Sequence, residues 1–139
     1  MLSGFFLINS FKKIKKRESF RPFAPSVLRE EVSRFFEQDI DSPFMMHVVK
    51  FKTEFLGKFP AVTHIDGTGR LQTVDRDNNA LYYKLIKEFK KLTGYGILLN
   101  TSFNENEPIV ETPAQAIDCF LRTDMDSMYI NNFKITKKI

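Results

Sequence analysis

Three polar clusters in this sequence have residue types and spacings that could do chemistry. The first, Lys15-Lys16-Arg17-Glu18-Ser19-Phe20-Arg21-Pro22, interleaves cations with Phe20 and Phe23. Guanidinium forks take phosphate oxygens in pairs and a ring nearby can stack on a base, which makes Arg17 and Arg21 candidate phosphate ligands. The second, Thr63-His64-Ile65-Asp66-Gly67-Thr68-Gly69-Arg70, gathers His64, Asp66, Thr68 and Arg70 round a glycine turn. Strand alternation predicts His64 and Asp66 on one face. A turn with a satisfied His, and an Arg70–Asp66 ion pair, is the alternative use of the same residues. The third, Asn100-Thr101-Ser102-Phe103-Asn104, follows the apolar Ile97-Leu98-Leu99, so its amides and hydroxyls emerge at a strand's carboxyl end, where open α/β sheets bind ligands. Ser, Thr and Asn supply neutral donors and acceptors for phosphate oxygens, and turn-forming Asn lets backbone N–H groups converge on an anion. An ordinary Asx or Ser/Thr turn would use them differently.

Charge is concentrated where the first cluster lies. Between Lys12 and Arg29 there are seven basic residues against Glu18 alone, so this segment carries +6 while the whole chain carries +4. A focused basic segment raises the local concentration of anions and points to a phosphate-bearing ligand or nucleic acid, a solvated face being its bland counterpart. No metal-ligand spacing and no Walker-type loop occurs, which speaks against a zinc site or a P-loop nucleotidase, and a metal held by this chain alone is not expected. His47 and His64 fall in separate β-like runs. Cys119, the single cysteine, sits among apolar helix neighbours and reads as a packed small hydrophobe.

The elements that must position these clusters belong to a small soluble domain. The chain has 139 residues, 42% hydrophobic and 27% charged, which excludes disorder, collagen and coiled coil. One cysteine favours a reducing compartment, and the cytoplasm is the expected location. Met1 to Phe11 is apolar but lacks a positive n-region and is too short to span a bilayer, so it reads as a strand or a truncation scar. No repeat or linker divides the chain, and residues 1–139 are taken as one unit. Phe23 to Leu28, interrupted by Pro25, suits an edge strand, with a helical stretch from Arg29 to Phe36. Phe44 to Phe51 reads as a strand. Pro60 to Asp66 and Arg70 to Val74 read as two strands of a hairpin across Gly67-Thr68-Gly69. Leu81, Leu85, Ile86, Phe89 and Leu92 recur at helical spacing, and Gly94 fits the C-terminal cap. Ile97 to Asn100 is a short strand. Thr112-Pro113-Ala114-Gln115 opens a helix that should bury Ile117, Phe120 and Leu121. Met128 to Ile130 and Phe133 to Ile135 close the chain as strands. The alternation predicts an α/β fold with a twisted, open, mixed sheet.

Four ordered segments give the sequence a familial likeness. Lys16-Arg17-Glu18-Ser19-Phe20-Arg21-Pro22-Phe23-Ala24-Pro25-Ser26-Val27-Leu28, then Ser42-Pro43-Phe44-Met45, then Pro60 to Val74, then Leu99-Asn100-Thr101-Ser102-Phe103-Asn104 with Glu107-Pro108-Ile109-Val110, resemble the C-terminal domain of the NodU/CmcH-type O-carbamoyltransferases. The likeness runs from Ile8 to Lys137. It implies a YrdC-like fold that activates carbamoyl phosphate with ATP to carbamoyladenylate and pyrophosphate, with Mg²⁺ accompanying the ATP. It also implies a Kae1-like N-terminal domain or subunit, carrying an iron site, that transfers the carbamoyl group to a hydroxyl. The likeness covers the C-terminal part alone, so the Kae1-like domain is expected to be missing from this chain. The family's Lys-x-Arg element is taken as Lys15-x-Arg17, with Lys13 and Lys16 in reach of the same register, and its Ser-x-Asn element as Ser102-Phe103-Asn104. By this resemblance Lys15, Arg17 and Arg21 are the catalytic, phosphate-holding cations. Ser102 and Asn104 orient the phosphates, and Thr63, His64 and Arg70 face the carbamoyl or adenylate end. Two other classes remain open: a nucleotide- or RNA-binding module using the basic segment with Phe20 and Phe23, and an inactive split-gene remnant. A detached domain should also expose the apolar face its partner covered, and so self-associate.

Overall fold

The computed structural model describes residues 23–105 and 107–137. Lys15, Arg17 and Arg21, with Lys13 and Lys16, lie outside the described residues. Within those described, the chain forms two compact units, 23–101 and 102–137.

The first unit is a mixed four-stranded sheet with its helices, the α/β class its alternating elements predict. Strands β1 (Ala24–Leu28), β2 (His47–Lys50), β3 (Thr68–Val74) and β4 (Ile97–Asn100) stand in the order β2-β3-β1-β4. β1 is parallel to β3 and antiparallel to β4, and β2 is antiparallel to β3. A single turn of 3₁₀ helix over Arg29–Glu31 leads into α1 (Val32–Phe35), and α2 (Ala80–Thr93) connects β3 to β4.

β1 is thus an interior strand, not the edge that Pro25 suggested. Leu28 donates its N–H to Gly96 O, so by alternation Ser26 and Ala24 also turn their nitrogens toward β4. The Pro25 nitrogen therefore faces the β3 side, where pairing begins only at Ser26, and no ladder hydrogen bond is missed. The expected hairpin is absent as well. The stretch from Pro60 to Asp66 folds into consecutive turns: Val62 N–H donates to Phe59 O, Gly67 N–H to His64 O, and His64 N–H to Thr68 O. These local bonds replace a strand ladder, and β3 takes β2 as its antiparallel partner instead. Gly69, opposite Val49, is required for close approach, because a Cβ there would come within 2.8 Å of the Phe51 ring and 3.1 Å of Val62 O.

The core under this sheet is aromatic. Phe36 and Phe51 lie tilted at 34° with centroids 4.3 Å apart, and Phe35 meets Phe55 edge-on at 5.1 Å. α2 is capped at its start by the Asn79 side chain on Tyr82 N–H and at its end by Gly94 at φ 81°. Ile86 packs with Leu28 and Val74, flanked by Tyr82, Tyr83 and Leu98. Beside that contact the buried Glu31 carboxylate takes Lys90 and Arg34, each at 2.8 Å. Burial opposes its charge, but the two cations prevail and hold its carboxyl below the usual range. The remaining apolar positions of the predicted stripe, Leu81, Leu85, Phe89 and Leu92, are exposed.

The second unit carries α3 (Pro113–Arg122) and the hairpin β5 (Ser127–Ile130) with β6 (Phe133–Thr136). Thr112 and Gln115 form the reciprocal capping box that the sequence predicts. Ala116, Phe120 and Met128 make its core. Ile117 and Leu121 are exposed, contrary to expectation; the buried stripe runs through Ala116, Cys119 and Phe120, one helical step round from them.

Candidate functional site

The first unit brings together two polar regions along one stretch of chain. In the turn before β3, Thr68 is the hub. Its hydroxyl donates to Asp66 Oδ1 at 2.8 Å, its N–H donates to the same oxygen at 3.0 Å, and His64 Nδ1 lies 3.0 Å from the hydroxyl. The Thr68 hydroxyl and N–H hold the Asp66 carboxyl below its usual range. Thr63 donates its hydroxyl to Phe59 O at 2.9 Å. His64 and Asp66 therefore share a turn and not a strand face. Asp66 makes no ion pair with Arg70 among the described residues, because its carboxylate already serves Thr68.

The second region lies on one face of the sheet. Gln72 pairs with Ser26, and Ala24, two residues before Ser26 on the same face, pairs with Asn100. β3 and β4 stand either side of β1, about 10 Å apart at two strand spacings. Only small side chains, Ala24 and Ser26, occupy β1 between them, and the two carboxamides meet above it. Gln72 Oε1 accepts from Ser26 Oγ at 2.5 Å and from Asn100 Nδ2 at 2.7 Å. Burial pushes the phenol of Tyr82 up, with the Ser26 side chain acting the other way. Arg70, two residues before Gln72, stands on the same face, opposite Val48. Its exposed guanidinium makes no hydrogen bond or ion pair among the described residues. The segment before β2 borders this face: Met45, at φ 59°, places its sulfur 3.5 Å from Asn100 Nδ2, and Pro43 O lies 3.4 Å from Gln72 Nε2.

Ser26 and Gln72 do not stand out in the sequence, each being an unremarkable polar residue inside an apolar run. The period of two counted from Arg70 is the signal that reaches Gln72. Ser26 needs the β1–β3 register, which is nonlocal.

Ser102 and Asn104 belong to the second unit. β4 ends at Asn100, so both lie in the loop beyond the strand, as expected. Ser102 Oγ donates to Asn104 Oδ1 at 2.7 Å, and Asn104 Nδ2 donates to Glu107 O at 2.6 Å. The same loop is tied to α3 by Arg122, which takes Glu105 and Asp118 at 2.8 Å and Glu107 at 3.0 Å. A cleft of about 370 Å³ opens beside it, lined by Pro108, Ile109, Gln115, Asp118 and Arg122 among others. Cys119 is buried, and desolvation with the nearby Glu107 carboxylate pushes its thiol up, as suits a packed hydrophobe and not a nucleophile. Among the described residues no three His, Cys, Asp or Glu side chains converge as metal ligands, and no helix is long and apolar enough to cross a membrane.

A family model described as carbamoyltransferase C-terminus matches residues 7–137. The chain is 49% identical over 129 residues to nodulation protein NolNO of Sinorhizobium fredii, covering 90% of this chain and 19% of that protein. It is equally, 49%, identical over 129 residues to nodulation protein NolO of Bradyrhizobium diazoefficiens, covering 90% and 24% respectively. Nodulation protein U of Rhizobium tropici is 39% identical over 92 residues, which is 66% of this chain and 16% of that protein. The chain spans a quarter or less of the length of the first curated relatives it matches.

Proposed function

This chain belongs to the carbamoyltransferase C-terminus family, and from that premise we propose that it activates carbamoyl phosphate with ATP. The product would be carbamoyladenylate, handed to a hydroxyl acceptor by a Kae1-like domain or subunit. What supports the activating role is that the family match runs through all three polar clusters. Two of them also have described geometry with donors at or beyond a strand.

Carbamoyladenylate contains a single phosphorus, so the phosphorus of carbamoyl phosphate must leave as inorganic phosphate. With one water consumed, the carbamate oxygen forms a bond to the α-phosphorus of ATP while the bond to pyrophosphate breaks. Negative charge grows on the departing pyrophosphate, so the reaction calls for positioned cations and hydrogen-bond donors more than for a nucleophile. Lys15, Arg17 and Arg21 would supply the cations, and Ser102 and Asn104 would orient the phosphates. Arg70 would face the carbamoyl or adenylate end, carried there by the turn that Thr63 and His64 help build. Mg²⁺ would arrive on the phosphate oxygens and water of the nucleotide, as its preference for such ligands favours.

The test is pyrophosphate release from Mg-ATP by the purified chain, with and without carbamoyl phosphate, beside an Arg17→Ala control. Release should require carbamoyl phosphate and fall by about 100-fold or more in the variant. Release indifferent to carbamoyl phosphate, or unchanged in Arg17→Ala, would contradict the assignment.

A further inference from the structure

The outward face of α2 is apolar, exposed and flanked by charges that complement one another. We propose that it is an isologous contact surface, on which a second copy of this chain packs its own α2 antiparallel. The contact is independent of the activating function proposed above.

The placement of residues round the helix selects this face. At about 100° per residue, Leu81, Leu92 and Leu85 fall within an arc of about 40°, and Phe89 lies beside them toward the buried Ile86. The three leucines are 82%, 87% and 57% exposed, so the helix shows water a contiguous apolar strip along most of its length. On the flank away from Phe89 come Glu88 and then Lys84. Leu81, Leu85 and Phe89 stand four residues apart and form one ridge, the kind that interdigitates with its equal on a second helix.

Charge identifies the occupant. Of the four lysines in α2, Lys90 pairs with Glu31, Lys91 pairs with Glu88 at 2.6 Å, and Lys87 lies over the Tyr83 ring. Lys84 is exposed and makes no such contact among the described residues. Glu88 gives one carboxylate oxygen to Lys91 and keeps the other for a further donor. With a two-fold axis crossing between Ile86 and Lys87, Leu81 stands opposite Leu92 of the second copy, and Leu85 stands opposite its Glu88 and beside its Phe89. Lys84 then comes within one residue's rise, about 1.5 Å along the helix, of the second copy's Glu88, and symmetry repeats the pair. Like flanks meet only when the helices run antiparallel. A parallel pairing would set Lys84 and Glu88 against the Phe89 flank, with neither charge answered. One helix face is smaller than the about 800 Å² per partner of a standard stable complex, so the association is a weak one.

Sedimentation equilibrium of the chain, from about 10 μM to about 1 mM, should show monomer and dimer with a dissociation constant of about 100 μM. Leu85→Glu changes an exposed position on both copies at once, and should abolish the dimer over that range with the far-UV circular dichroism unchanged. Lys84→Glu and Glu88→Lys should each weaken association about tenfold, because like charges then meet across the axis. The double variant carrying both exchanges restores opposite charges and should return to within about threefold of the parent. A chain that stays monomeric through about 1 mM would overturn the proposal, needs no variant to fold, and would leave the strip to another domain of the longer relatives. A dimer unmoved by Leu85→Glu, or a double variant no tighter than the single ones, would overturn it as well.

Discussion

The turn of residues 63–68 and the sheet face that begins at Arg70 share one continuous stretch of chain, yet they use their polar groups in opposite ways. In the turn, Thr68 serves both His64 and Asp66, Asp66 serves Thr68 twice, and Thr63 serves a backbone carbonyl. Polar atoms there are engaged in shaping the backbone. On the sheet face, three strands fix Gln72, Ser26 and Asn100 through one shared acceptor, and leave an oxygen of Asn100 and the guanidinium of Arg70 without a partner among the described residues. A dense run of chemically able residues can be a structural device, whereas sparse polar residues at strand period can assemble a surface ready for a ligand.

The two regions meet at Gly69, and the largest effect is expected there. Gly69→Ala would push a methyl group against the Phe51 ring and Val62 O, and should cost about 2 kcal/mol of unfolding free energy in chemical denaturation, disturbing turn and strand together. Arg70→Gln should separate the regions: stability within about 0.5 kcal/mol of the parent, because the side chain is exposed and has no partner among the described residues, with binding of carbamoyl phosphate, an acyl phosphate, weakened about tenfold. Thr68→Val is its mirror image. Loss of the hydroxyl should lower stability by about 1 kcal/mol and move ligand affinity by less than about threefold. A larger loss of affinity than of stability in Thr68→Val would erase the distinction.

Acid should produce the smallest and most selective effect. Asp66 has a folded pKa below its ordinary value of 3.8, so its contribution is fully present above that value and is lost as pH falls through the folded one. The residues of the sheet face carry no group that titrates there. As pH falls from 5 to below 3.8, the protection factor should therefore fall at Thr68, whose N–H is bonded to Asp66, before it falls in the β1–β3 ladder. Simultaneous loss of protection would show that the turn has no independent role.

Much of the scaffold was legible in the sequence. The helical spacing of α2, its Gly94 cap and the Thr112–Gln115 capping box are local signals, and each formed where it was expected. The same locality explains the failures. Pro25 marks an edge only when both neighbours pair with the whole strand, and here β3 begins its pairing one residue later. Pro60 to Asp66 has strand-like composition, but its hydroxyl and amide groups found partners three and four residues away and made turns. Exposed Leu81 and Leu85 obey helical periodicity without being core, since periodicity reports an apolar face and not what lies against it. The site was partly readable for a related reason. Asn100, Ser102 and Asn104 follow from the strand-end position, whereas Ser26 and Gln72 become neighbours only through a parallel register between distant segments.

The activating role is tested most directly by following phosphorus through the reaction. Mg-ATP and carbamoyl phosphate incubated with the chain and observed by ³¹P NMR should yield pyrophosphate and inorganic phosphate in equal amounts, with neither formed from ATP when carbamoyl phosphate is omitted. ATP that stays intact, or that yields ADP in place of pyrophosphate, would contradict adenylate formation by this chain.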